Sequence, residues 1–206
     1  MEILLDRAGR RFNQEWVFRN LSYRFVSGQS YAVLGANGSG KSTLLSVILG
    51  SLSLSEGELK YVHQQKDLRI EDFYRYVSFA APYLDLIEEF TLEETVEFHF
   101  RFKGYYPDLD QASVLEILEL SGARGRPLKY FSSGMKQRTR LVLALCSDTP
   151  VLVLDEPTSN LDKQGLAWYQ QLIGRFASDR LVVVGSNQED EYSFCNHFVE
   201  MADFKG

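Results

Sequence analysis

The stretch SYAVLGANGSGKSTLLSVILG, Ser30 to Gly50, constrains the fold more than any other part of the chain. An apolar run ends in a glycine-rich turn, and the turn opens directly into a segment whose apolar residues suit a buried helix. The turn runs Gly35, Ala36, Asn37, Gly38, Ser39, Gly40, Lys41, Ser42, Thr43. It matches G-x-x-x-x-G-K-[ST] in the strand-to-helix setting that this pattern requires. Its glycines let successive backbone N–H groups curl around phosphate oxygens, which the first turn of the helix also favours. Lys41 is placed to reach β and γ phosphates, and the Ser42 hydroxyl to bind Mg²⁺.

The rest of the chain agrees with an α/β protein. Short β-like runs, EILL (2–5) and LSYRFVSG (21–28), come first, and SEGELKYVHQQKDLRI reads as a surface hairpin. The pattern then turns helical. TLEETVEFHFRF starts with a capping box, Thr91 and Glu94, and sets Leu92, Val96 and Phe100 on one face. DLDQASVLEILELSG repeats the logic with Val114, Leu115 and Leu118 facing inward and Gly122 as the expected stop. Residues 91–130 are therefore expected to be a mostly helical insertion. After it come helix SGMKQRTRLVLAL, strand VLVLD, helix GLAWYQQLIGRF and strand LVVVGS. Continuous apolar strands alternating with helices predict a parallel sheet covered on both faces.

Composition narrows the function classes. With 206 residues, 45% of them hydrophobic, the chain can bury the core of one domain. A net charge of −6 argues against a nucleic-acid role resting on an overall basic surface. Cys146 and Cys195 lack metal-site spacing and read as free thiols. The start, MEILLDRAGRRF, lacks the pattern of a secretory signal. The most apolar segment, RLVLALCSDTPVLVLDEP, is broken by CSDTP short of the roughly 18 residues of a membrane span.

A second motif, VLVLDEP, delivers two carboxylates at the end of an apolar strand. Asp155 is placed to hold the Mg²⁺ shell and Glu156 to act as general base on the water attacking a γ-phosphate. A third, FSSGMKQR (131–138), puts a small hydroxyl and a glycine at a helix N-terminus, a second anion-binding end.

With this third motif the chain resembles the ATP-binding cassette family, the motor subunits of ABC transporters. Ser132 and Gly134 match the family's L-S-G-G-Q signature, whereas Phe131, Ser133 and Met135 depart from it. The resemblance implies a P-loop NTPase of ABC type: one domain over residues 1–206, with an antiparallel β subdomain and a helical subdomain inserted at about 83–135. It implies ATP and Mg²⁺ as cofactors, and a homodimer or paired ATPase subunit whose signature end closes over the partner's ATP. It places Asp162, in EPTSNLD, at the dimer seam, and Phe12, with Trp16 as the alternative, where the family stacks an aromatic on adenine. Separate membrane subunits, docking on the helical insertion and APYLDLIEEF, would carry the substrate. The chain would then sit on the cytoplasmic face of the membrane, and its compact size and Ser-Ser-Gly-Met variant resemble export-type cassettes.

Two departures bear on chemistry. Where the family keeps a metal-shell glutamine, this chain has Pro82, or Ala81 in the neighbouring register; Gln64 and Gln65 fall in the earlier hairpin and read as solvated. Where the family keeps a histidine on the γ-phosphate, it has Asn187, whose amide can donate a hydrogen bond but cannot titrate. Hydrolysis through Glu156 is expected, at a lower rate than with histidine. The alternative is a switch that dimerises on ATP with little turnover, and the retained Glu156 argues against it. Soluble cassettes of translation or repair usually join two copies, which a single acidic cassette does not suit. His99 and His197 read as structural or surface residues.

Overall fold

The computed structural model describes residues 1–205. The chain begins with strands β1 (Glu2–Phe12), β2 (Glu15–Val26) and β3 (Ser30–Leu34), followed by helix α1 (Lys41–Ile48) and strands β4 (Glu56–His63) and β5 (Lys66–Leu68). After β6 (Val77–Ala80) come α2 (Leu92–Phe100), α3 (Gln111–Ile117) and α4 (Ser133–Leu145). The last part holds β7 (Val151–Asp155), α5 (Lys163–Phe176), β8 (Leu181–Gly185), α6 (Glu189–Tyr192) and β9 (His197–Glu200).

Two sheets result. One is antiparallel in the order β2-β1-β4-β5; the other has five strands in the order β6-β7-β8-β3-β9, all parallel. β1 and β2 run well past the short apolar runs expected from sequence. Their pairing shifts register between Leu5 and Ala8 and twice more before Arg11, and Arg7 and Asn20 take left-handed backbone conformations. Each shift flips the inward face, so simple alternation hides the length of the strands. The SEGELKYVHQQKDLRI hairpin forms as expected, with Gln64 and Gln65 both left-handed and exposed in its turn, and its first strand also pairs with β1.

Alternation on the buried strands splits the core into two layers. Leu152 and Leu154 on β7, with Val182 and Val184 on β8, pack against α4 and α5 residues such as Leu141 and Tyr169. Val151, Val153, Leu181 and Val183 face Leu44 and Ile48 of α1 and, beyond them, Phe18 and Phe25 of the antiparallel sheet. The parallel sheet is therefore covered on both faces, as its unbroken apolar strands require.

The helical region is looser than its sequence suggests. α2 starts with a reciprocal capping box: Glu94 N–H donates to Thr91 Oγ1 at 3.2 Å and Thr91 N–H to Glu94 Oε2 at 2.8 Å. Leu92 and Val96 are buried and Phe100 packs partly against them. α3 ends at Ile117 rather than at Gly122, because Glu119 already turns left-handed; Gly122 lies in a separate 3₁₀ turn, Ser121–Ala123. Val114, Leu115 and Leu118 are buried as expected. His99 is largely buried in this region, with Nε2 2.9 Å from Ser147 Oγ, and burial, with the Lys103 charge nearby, pushes its pKa down to about 4. No helix among the described residues is long and apolar enough to cross a membrane.

Candidate active site

In open parallel sheets, ligands bind beyond the carboxyl ends of the strands. Here that edge gathers the P-loop after β3, Tyr83 after β6, Asp155 at the end of β7 and Asn187 after β8. α1 begins on Gly40, whose φ of 103° is left-handed and whose missing Cβ leaves room for Val17, 2.4 Å from where that atom would stand. A side chain there would clash as well as strain the turn. No side chain caps α1, so its first N–H groups stay open to a ligand. The buried Lys41 ammonium donates to Gly35 O at 2.7 Å and Ala36 O at 3.3 Å, and Ala36, Asn37 and Gly38 are exposed. A cavity of about 260 Å³ is lined by the P-loop with Lys41, Ser42 and Thr43, by Val17 and by Glu156. The first two motifs thus meet in one site.

Asp155 is 1% exposed. Its Oδ2 accepts a 2.8 Å hydrogen bond from the Tyr83 hydroxyl, while its buried Oδ1 has no partner. Burial raises its pKa, against the pull of the Ser42 and Tyr83 hydroxyls, and the Glu156 charge adds to the rise. A desolvated carboxylate with one orphaned oxygen, beside a serine hydroxyl, fits the needs of a hard divalent cation. Among the described residues no group of three or more His, Cys, Asp or Glu could hold a metal, so such a cation would draw its other ligands from phosphate and water. Glu156 has a left-handed φ of 42°, a conformation that costs about 1–3 kcal/mol in a residue with a side chain. Its N–H donates to Gly185 O at 2.9 Å, and Ser159 Oγ reaches its carboxylate at 3.4 Å. Asn187 is exposed, and its Nδ2 donates to Asn37 Oδ1 at 3.3 Å, joining the loop after β8 to the P-loop.

The third motif lies elsewhere. Ser132 caps α4, its Oγ accepting from Met135 N–H at 3.2 Å, and Ser133 is the first residue of that helix. Gly134 lets the helix approach Asn160 O, which a Cβ would meet at 2.9 Å. Met135 packs against the core, and Gln137 Nε2 donates to Pro157 O at 2.8 Å. These contacts anchor the signature to the chain just after Glu156, yet no signature residue lines the P-loop cavity. Asp162 caps α5 through Gly165 N–H at 2.8 Å. Phe12 is 48% exposed with the Arg10 guanidinium 4.6 Å from its ring centre, and Trp16 lies beside Arg11 and Arg19. Neither aromatic lines the cavity; Val17 does. His197, on β9, stacks on Tyr31.

The family model described as ABC transporter matches residues 18–159, from β2 through the P-loop and past Glu156. This chain belongs to the ABC transporter family. It is an ATPase subunit of that family and has its P-loop fold. The cytochrome c biogenesis ATP-binding export protein CcmA of Brucella abortus (strain 2308) is 33% identical over 166 residues, which cover 81% of this chain and 75% of that protein. Among solved structures, an ATP binding subunit of an ABC transporter matches with a TM-score of 0.81 at 22% identity, covering 97% of this chain and 85% of that one. A dimeric bacterial ABC transporter cassette matches with a TM-score of 0.77, also at 22% identity, over 96% and 93% of the two chains. At such identities these two structures show the fold.

Two residues of this ABC cassette's site escape the motifs. Tyr83 belongs to a segment whose sequence suggests only a surface, although it directly follows Ala81 and Pro82, at one of which the resemblance expects a glutamine. Glu191 is fully buried: its Oε1 accepts from Thr158 N–H at 2.8 Å and Thr158 Oγ1 at 2.5 Å, and its Oε2 from Ser186 Oγ. The carboxylate clamps the chain just after Glu156 to the residue before Asn187. Its only sequence signal is an acid spaced for one helical turn after VVVGSNQ.

Proposed function

We propose that this ATPase pairs head to tail with a second ATPase subunit and drives export through separate membrane subunits, from the cytoplasmic face of the membrane. The observation that carries this reading is the single cavity lined by Lys41, Ser42, Thr43 and Glu156 at the strand edge, with the signature end of α4 outside it. The glycines and open N–H groups of Gly35 to Thr43 hold the phosphates of ATP, with Lys41 on the β and γ groups. Ser42 and Asp155 would hold Mg²⁺, which would supply charge neutralisation at the transferring phosphate. Glu156 accepts the proton of the attacking water, and Asn187 donates its amide N–H to the γ-phosphate. Ser132, Ser133, Gly134, Met135 and Asp162 form the end that closes the partner's site. Phe12 is our candidate for the adenine, exposed at the C-terminal end of β1.

Residues 1–206 act as one cassette, with 83–135 as the inserted helical part. An apolar hollow of about 230 Å³ between α2 and the 85–90 segment is lined by Leu86, Ile87, Phe90, Phe98 and Phe102. Ile87, Phe98 and Phe102 remain exposed, which suits a membrane subunit's helix. The export direction draws support from the name of the 33%-identical relative. Steady-state hydrolysis of MgATP by the purified chain tests the site. Glu156→Gln should lower the rate about 100-fold or more with ATP binding retained; equal rates in the two proteins would refute the assignment of the base.

A further inference from the structure

The segment after β6 carries a residue for which the reaction has so far had no use. Strand order places β6 beside β7, so the chain leaving β6 passes the carboxylate at the end of β7. Neither Pro82 nor Ala81, the two positions at one of which the family resemblance expects a glutamine, carries a polar side chain, and the next residue, Tyr83, turns its hydroxyl inward. The residue is 56% exposed, yet its hydroxyl oxygen lies 2.8 Å from Asp155 Oδ2. A surface tyrosine usually keeps its hydroxyl in water and only its ring on the protein. Here the arrangement is inverted, and the hydroxyl is spent on a buried carboxylate.

The hydrogen bond has a directional consequence. Asp155 lies with Oδ1 toward Gly185, where a Cβ would come within 3.0 Å of it, and with Oδ2 toward Tyr83. A carboxylate held on one oxygen by a donor cannot rotate freely, so the second oxygen keeps a fixed direction. The same segment is gripped from behind by the signature helix: Arg140 Nε donates to Leu84 O at 2.6 Å, and Lys136 pairs with Glu88. Further along, Leu86, Ile87 and Phe90 line the apolar hollow. One short segment therefore touches the Asp155 carboxylate, the signature helix and the hollow in turn.

We propose that Tyr83 is a positioning residue of this ATPase: its hydroxyl orients the Asp155 carboxylate for the divalent cation and ties that carboxylate to the 84–90 segment. The inference rests on the assignment of Asp155 to the metal shell. It assigns to a tyrosine hydroxyl the polar contact that Pro82 cannot make, and it makes the position of the 84–90 segment a determinant of metal affinity.

The test uses Mn²⁺ as the probe, with binding followed by electron paramagnetic resonance in the presence of a non-hydrolysable ATP analogue. Wild type, Tyr83→Phe and Tyr83→Gln are compared as full chains, and the analogue's affinity is measured separately in EDTA. Tyr83→Phe should weaken Mn²⁺ binding about ten- to a hundredfold, the size of one lost hydrogen bond to a charged group. Its metal-free affinity for the analogue should stay within about twofold of wild type, since the phosphate contacts are untouched. Tyr83→Gln, which keeps an N–H donor at that place, should recover most of the loss. Equal Mn²⁺ affinity in wild type and Tyr83→Phe would overturn the inference alone. So would an equal loss of metal-bound and metal-free affinity, which marks general damage. A wild type that binds the analogue but no Mn²⁺ would overturn the metal-shell assignment together with it.

Discussion

Helices α1 and α4 both begin at turns rich in glycine and serine, but their first turns are satisfied differently. At α1 the cap position is Gly40 in a left-handed conformation, no side chain reaches the exposed N–H groups, and a lysine folds back over the loop carbonyls. At α4 the Ser132 hydroxyl already accepts from Met135, and the helix start is packed against the backbone of Asn160. The first end is a set of exposed donors that no side chain of its own chain caps, suited to an anion. The second has one of its N–H groups capped by its own serine and stands apart from the cavity. The difference suggests a division of labour: α1 binds phosphate by itself, whereas α4 presents a preformed surface that acts only when a second chain brings a phosphate to it.

The largest expected effect comes from breaking the α1 side. Lys41→Ala removes the one buried cation of the phosphate cavity and should lower ATP turnover about 100-fold or more, measured by phosphate release, with the fold unchanged by circular dichroism. Next is the loop after β8, which Asn187 joins to the P-loop. Asn187→Ala should slow turnover by about tenfold through loss of a charge-assisted hydrogen bond, and Asn187→His should match or exceed wild type. Identical rates in all three proteins would remove Asn187 from the mechanism. The smallest effect belongs to the α4 cap taken alone. Ser132→Ala should cost about 1 kcal/mol of stability in denaturant titrations while leaving ATP affinity of the isolated chain unchanged. A loss of ATP affinity in the monomer would blur the division.

The same contrast explains what could be read in advance. The α1 end is one unbroken stretch of sequence, so spacing alone identified its residues, and Asp155 and Glu156 stand together at one strand end. Contacts assembled by topology were hidden. Tyr83 meets Asp155 only because β6 lies beside β7, and Glu191 meets Thr158 only because α6 folds back beneath that edge. Phe12 was legible as an aromatic at the right spacing, but bulges in β1 decide where its ring goes, and it lies outside the cavity wall. α3 ends before Gly122 because Glu119 takes the left-handed turn that the pattern assigns to the glycine.

The central claim is that each site takes its P-loop from one chain and its signature from another, and mixing two disabled variants tests it most directly. Lys41→Ala disables only the P-loop; Gly134→Asp disables only the signature, by placing a Cβ against Asn160 O and a negative charge at an anion-binding end. Each alone should be nearly inactive. An equimolar mixture that has exchanged subunits contains heterodimers with one doubly damaged and one intact site, and should regain about a quarter of the wild-type rate. A mixture no more active than the sum of its parts, with heterodimers shown to be present, would contradict the shared site.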